Sequence, residues 1–150
     1  MKQLGVGIIG CGNISTSYLD LAPMFKSLNL VAVADINMDA ANARAADYPV
    51  RAETVEGLLA ATDVDVIVNL TIPAVHYDIT RQILEAGKHA YSEKPLVLTL
   101  EEGEHLRELA ASKKLWIGSA PDTFLGGAHQ LARAAIDSGK TGPIIGGTCH

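Results

Sequence analysis

From Leu4 to Ser15 the chain reads Leu-Gly-Val-Gly-Ile-Ile-Gly-Cys-Gly-Asn-Ile-Ser, an apolar run that meets a glycine turn and continues as a helix-like segment. Leu4, Val6, Ile8 and Ile9 form a short, nearly continuous apolar stretch, the pattern of a strand buried on both faces of a parallel sheet. Gly10 allows a tight turn. Gly12 omits the side chain that would block a pyrophosphate at the N-terminus of the next helix, where backbone N–H groups face outward. Cys11 is a small residue within the turn, and Asn13 and Ile14 begin the helix. Ser15 holds the third small position, where the dinucleotide-binding fingerprint prefers Gly or Ala for close helix–strand packing. By itself the stretch fits a nucleotide site and an ordinary strand–turn–helix equally well.

A second apolar strand, Leu28-Asn-Leu-Val-Ala-Val-Ala-Asp35, ends on an acid 23 positions beyond Gly12. The fingerprint expects an Asp or Glu about 20 residues on, accepting hydrogen bonds from the adenosine ribose hydroxyls. Asn37, just beyond, suits the N-cap of the following helix. Ile36, Asn37 and Met38 supply no cation for a 2′-phosphate, and the Asp35 carboxylate repels one. The expected cofactor is therefore NAD, with NADP disfavoured.

The chain has 150 residues, enough for one domain that buries roughly 70% of its unfolded surface. A formal net charge of −5 and the lack of any Lys/Arg cluster argue against nucleic acid or an anionic membrane as partner. No apolar stretch reaches membrane-spanning length. Met1 leads straight into a strand, so no secretory leader is expected, and a cytoplasmic location follows. Cys11 and Cys149 lie at opposite ends and make no disulfide framework. His89, His105 and His129 lack metal-ligand spacing, so no metal is expected.

Along the chain, Ile14, Tyr18, Leu21, Ala22 and Phe25 recur at helical spacing and predict one buried stripe, with Pro23 ending or kinking the helix near Ala22. An alanine-rich helix follows over 37–47, then a short strand at Pro49-Val-Arg51 and a brief helix opened by Thr54. Asp63–Leu70 is the next buried strand. Pro73 fits the first turn of a helix that runs to Glu85 or Ala86, with Gly87 as its stop. His89–Ser92 is another strand. Thr99 and Glu102 form a capping box for a helix that turns Leu106, Leu109 and Ala110 inward. Lys114–Gly118 is a sixth strand, and Gly126–Ser138 a last helix stopped by Gly139. This alternation predicts the α/β class: a doubly wound parallel (Rossmann) sheet with helices on both faces and a ligand at the carboxyl ends of its strands. Asp35, the segment Thr71–His76 and the segment Glu93–Pro95 all fall at such ends.

Gly7-Ile-Ile-Gly-Cys-Gly-Asn-Ile14, Asp35, Thr71-Ile-Pro-Ala-Val-His76 and above all Glu93-Lys94-Pro95 together resemble the Gfo/Idh/MocA oxidoreductases, NAD(P)-dependent dehydrogenases of sugars, inositols and related polyols. The resemblance implies that Lys94 sits beside the nicotinamide and hydrogen-bonds the reacting hydroxyl. An ammonium there stabilises negative charge as hydride leaves, and a desolvated lysine can shuttle the proton. It further implies that Glu93 lines the nicotinamide side, that Pro95 fixes the backbone through a cis bond, and that Thr71, Pro73 and His76 lie beside the cofactor; a histidine at a helix start also caps or packs. The stretch Ala120–Leu125 departs from the Asn/Arg pattern common in the family, so Asp122 and Thr123 are candidates to face substrate.

Residues 1–120 are thus expected to be the dinucleotide-binding domain, and 121–150 a connecting helix and the start of a second domain that carries an Asp/His pair and mediates homo-oligomerisation. Without that lobe water is not excluded, and this stretch alone is expected to bind NAD weakly and turn over nothing. Two other readings stay open: a non-catalytic dinucleotide-sensing module, which has no need of Lys94, and a methyltransferase with a similar glycine turn.

Overall fold

A computed structural model describes residues 3–148; the reading of Cys149, and the end of the stretch 121–150 expected to start a second domain, lie outside the described residues. Six strands form one parallel sheet: β1 (Leu4–Ile9), β2 (Leu28–Ala34), β3 (Arg51–Glu53), β4 (Val66–Asn69), β5 (His89–Ser92) and β6 (Ile117–Ser119). Their order is β3-β2-β1-β4-β5-β6. The chain winds outward from β1 to β3, then crosses to the other side of β1 and winds outward again. Between β1 and β4 the direction of winding reverses, which opens a crevice at the carboxyl ends of these strands. This is the doubly wound α/β fold read from the sequence.

Two apolar clusters show which helices cover which face. Val6 and Ile8 of β1 and Val33 of β2 pack with Leu19 of α1 (Asn13–Leu21) and Ala41 of α2 (Met38–Asp47). On the other face Ile9, Ala34, Ile67 and Ala90 pack with Leu58 of α3 (Val55–Ala60), Ile83 and Leu84 of α4 (His76–Glu85) and Leu106 and Ala110 of α5 (Leu100–Lys113). Ile8 and Ile9, adjacent on β1, serve opposite clusters, as the two-residue side-chain period of a strand requires. Each such fully buried aliphatic side chain is worth about 1.5–3 kcal/mol relative to exposure.

Several boundaries differ from expectation for local reasons. The expected stripe is not buried: Ile14 and Leu21 of α1, and Phe25 beyond its end, are 42%, 54% and 59% exposed, and the buried residues of the helix are Ser15 and Leu19, one turn apart. Ser15 and Leu19 face the sheet together, so the expected stripe is turned away from the packed face. Pro23 lies in a 3-10 turn, Ala22–Met24, that ends the helix as predicted. Strand β3 starts at Arg51 and not Pro49, because the Val50 amide is taken by the Tyr48 carbonyl. Strand β6 starts at Ile117 and not Lys114, because Lys114 is the C-cap of α5 at φ +57°, the Leu115 amide is taken by the Ala110 carbonyl and the Trp116 amide by His89 Nδ1.

The chain divides at Ala120/Pro121 into two compact units. The first holds the whole sheet. The second contains a 3-10 turn, Thr123–Leu125, and α6 (Gly127–Asp137), which carries an exposed Arg133–Asp137 pair at 2.7 Å and is followed by Gly139 at φ +71°.

Candidate dinucleotide site

The first βα turn is shaped by two glycines with different reasons. Gly10 adopts φ +105°, and a Cβ there would stand 2.6 Å from the Leu70 carbonyl oxygen and 2.9 Å from the Thr71 nitrogen. Only glycine fits, because the β1 turn lies directly against the end of β4. Gly12 has ordinary extended geometry, and a Cβ on it would meet nothing within 4 Å. No internal packing demands glycine at position 12; what its missing side chain provides is open space over the start of α1.

That helix start is also unprovided for from within. Gly12 is its N-cap, no side chain caps it, and its first turn holds no acid. By contrast α2, α3 and α5 are capped by Asn37, Thr54 and Thr99 and carry acids in their first turns. The first N–H groups of a helix have no partners inside it, and the positive end of the dipole adds to their pull on an anion. An uncapped start beneath a side-chain-free space fits a diphosphate.

Asp35 closes the turn from the β2 side. Its Oδ2 accepts from the Cys11 amide at 2.8 Å and its Oδ1 from the Asn37 amide at 2.9 Å. Each oxygen keeps a further lone pair for a hydroxyl donor. Cys11 itself is buried, with Sγ 3.5 Å from the Ala34 carbonyl. Burial first, and then the Asp35 carboxylate, push its thiol up to about 11, against a smaller opposing pull from Arg44. Arg44 of α2, which the sequence reading passed over, donates from Nη2 to the Gly12 carbonyl at 3.1 Å and from Nε to the Cys11 carbonyl at 3.4 Å.

A second group of residues gathers at the ends of β4 and β5. Buried Asn69, the last residue of β4, accepts through Oδ1 from the Thr71 hydroxyl (2.6 Å) and amide (3.2 Å) and donates through Nδ2 to the His76 carbonyl and the Thr80 hydroxyl, both at 3.1 Å. Pro73 begins a short 3-10 turn, Pro73–Val75, that leads into α4. His76 is 1% exposed, with Nδ1 2.6 Å from the Pro95 carbonyl and Nε2 2.9 Å from the Thr71 carbonyl. Both ring nitrogens are thus turned to protein carbonyls. His76 ties the loop after β4 to the loop after β5.

Beyond β5, the Lys94–Pro95 bond is cis. Glu93 Oε1 accepts from the Tyr18 hydroxyl of α1 at 3.0 Å, and its Oε2 from the Lys94 amide at 3.0 Å. The carboxylate therefore links the β5 loop to the helix that starts at the glycine turn. Lys94 is exposed, and among the described residues no acid lies within ion-pair distance of its amine. Gly10, Cys11, Gly12, Asn13, Ile14 and Asp35 thus come together at one turn; Thr71 adjoins it, and Glu93 reaches it through Tyr18. Asn69 and Tyr18 also escaped the sequence reading. A polar residue ending a buried strand was the available signal for Asn69, whereas Tyr18 was assigned to the apolar stripe. Among the described residues no three His, Cys, Asp or Glu side chains gather as a metal ion would need, and no helix is long and apolar enough to cross a membrane.

Residues 4–119 match the model of a family described as the oxidoreductase family with an NAD-binding Rossmann fold, GFO_IDH_MocA. Inositol 2-dehydrogenase of Rhizobium meliloti is 28% identical over 138 residues, 92% of this chain and 42% of that protein. Two solved structures superpose closely. One is the WlbA dehydrogenase of Bordetella pertussis in complex with NADH and UDP-GlcNAcA, with TM-score 0.88 and 26% identity over 95% of this chain and 42% of that one. The other is the biliverdin reductase of Synechocystis in complex with biliverdin and NADP+, with TM-score 0.80 and 30% identity over 89% and 43%. The chain spans less than half the length of these proteins.

Proposed function

This chain belongs to the Gfo/Idh/MocA oxidoreductase family, and from that premise we propose that it is the cofactor-binding part of a dehydrogenase acting on a hydroxyl-bearing carbon of a sugar or polyol. The observation that carries the cofactor half is the meeting, at Cys11, of an uncapped helix start and the Asp35 carboxylate. The first receives the diphosphate and the second the adenosine ribose hydroxyls. NAD is preferred over NADP, because no cation lies within ion-pair distance of Asp35 among the described residues, and its charge opposes a 2′-phosphate.

Bound nicotinamide supplies the hydride acceptor or donor. Lys94 hydrogen-bonds the reacting oxygen and stabilises charge there, a role for which its amine is uncommitted to any acid. Glu93, held by Tyr18, fixes the start of the loop that carries Lys94. Asn69, Thr71 and His76 hold the facing loop in place. The polyol or sugar class is supported by the inositol dehydrogenase among the relatives and by the sugar nucleotide bound in the WlbA structure.

Calorimetry with NAD and NADP tests the cofactor reading: NAD is expected to bind more tightly, and tighter NADP would overturn the role given to Asp35. Lys94→Ala in the full-length protein tests the chemistry. Reduction of NAD in the presence of inositols and sugar alcohols should vanish while NAD binding persists. Unchanged turnover would remove Lys94 from the mechanism.

A further inference from the structure

We propose that Arg44 is a positioning residue that sets the diphosphate cradle from behind; this rests on the cofactor reading above. Arg44 lies on α2, whose Ala41 packs in the same apolar cluster as Leu19 of α1. Helical side chains lean toward the start of their helix, which carries the guanidinium up to the glycine turn. There Nε and Nη2 reach the carbonyls of two consecutive residues, Cys11 and Gly12. In a planar trans peptide the C=O and the following N–H point in opposite directions. Holding the Cys11 carbonyl toward α2 therefore turns the Gly12 N–H away from it, and holding the Gly12 carbonyl does the same for the Asn13 N–H.

The Gly12 carbonyl is further fixed by the Ser15 amide at 3.1 Å and the Ser15 hydroxyl at 2.6 Å, and the Cys11 N–H by Asp35. The turn is thus held by a cation on its carbonyls and a carboxylate on its first amide. That leaves the Gly12 and Asn13 amides as its outward donors, beside the open space where a Gly12 Cβ would stand. No carboxylate lies within ion-pair distance of Arg44 among the described residues, so its charge also adds to the attraction for a diphosphate. Arg44 then discriminates a ligand that carries a diphosphate from one that carries only the nucleoside.

Calorimetric titration of the 150-residue chain and its Arg44→Met and Arg44→Lys variants with NAD and with adenosine, at low and high NaCl, tests this. Arg44→Met should weaken NAD about tenfold, the scale of one charge-assisted hydrogen bond. It should leave adenosine affinity unchanged and flatten the salt dependence of NAD binding. Arg44→Lys should restore the salt dependence and only part of the affinity, because one ammonium does not reproduce the planar fork. The proposal is overturned if NAD affinity is unchanged in Arg44→Met, or if NAD and adenosine weaken together, as a general loss of packing would cause. An unmutated chain that binds adenosine but not NAD overturns the diphosphate reading itself, a result distinct from either of these.

Discussion

Helices α1 and α5 begin in opposite ways, although both pack on one sheet. At α5, Thr99 accepts from the Glu102 amide at 3.3 Å, and Glu102 Oε2 accepts in return from the Thr99 and Leu98 amides at 3.3 and 3.0 Å. Two acids, Glu101 and Glu102, sit in that first turn. At α1 there is no cap and no acid, and the N-cap is a glycine with empty space over it. Side chains satisfy the first amides at α2, α3 and α5. Helix α6 also starts at a glycine, Gly126, without a side-chain cap or a first-turn acid, but a Cβ there would stand 3.2 Å from the Thr123 carbonyl oxygen; the diphosphate reading proposed above rests on the open space over Gly12 together with Asp35 on the same turn.

The contrast can be broken at four places. The largest effect belongs to Gly10→Ala, which meets both a positive φ and the Leu70 carbonyl 2.6 Å away. Chemical denaturation should register a loss of about 3 kcal/mol, and a loss well under 1 kcal/mol would show that the β1 and β4 ends move apart freely. Gly12→Val comes next, and it separates binding from folding. With no atom within 4 Å of the new Cβ, stability should change by less than about 1 kcal/mol, while NAD affinity falls at least about tenfold; equal losses in both would contradict the open-cradle account. Thr99→Ala is the mirror experiment: about 1 kcal/mol of stability is lost, and NAD affinity stays where it was.

The smallest effect concerns Cys11. Its thiol rises from 9.0 when unfolded to about 11 in the fold, so the folded state favours the protonated form. The corresponding stability is present below pH 9 and is lost as pH rises toward 11. Alkylation of Cys11 should therefore be slow at neutral pH and accelerate up to pH 11, and saturating NAD should slow it further. Rapid labelling at pH 7 would place the thiol outside the turn as described.

How much of this was legible differs along the carboxyl edge. The glycine turn, Asn37 as a cap and the Thr99–Glu102 box follow from local rules, because each depends on neighbours within a few positions, and Asp35 follows from its strand-end place 23 positions beyond Gly12. The alternation of strands and helices was enough for the doubly wound parallel class, and the strand order came from the structure. What escaped was decided by side chains reaching across the fold. Arg44 lies nine positions past Asp35 on a helix that reads as a plain alanine-rich surface. The stripe on α1 was misplaced because Ser15, a small polar residue, lets the helix approach the sheet, and hydropathy gives such a residue no weight. His76 was visible as a residue of interest, but only the positions of Thr71 and Pro95 show that its ring serves the loops. The grouping of Glu93, Lys94 and Pro95 was found by family resemblance, and the Tyr18–Glu93 bond adds a physical reason for the placement of Glu93.

The most direct test is a backbone-amide NMR titration of the chain with NAD. The account predicts that the amides of Gly12, Asn13 and Ile14 shift together with that of Cys11, while those of Thr99 and Glu102 remain in place. Saturable binding with the Gly12 and Asn13 amides unmoved, or with the largest shifts at the start of α5, would contradict it.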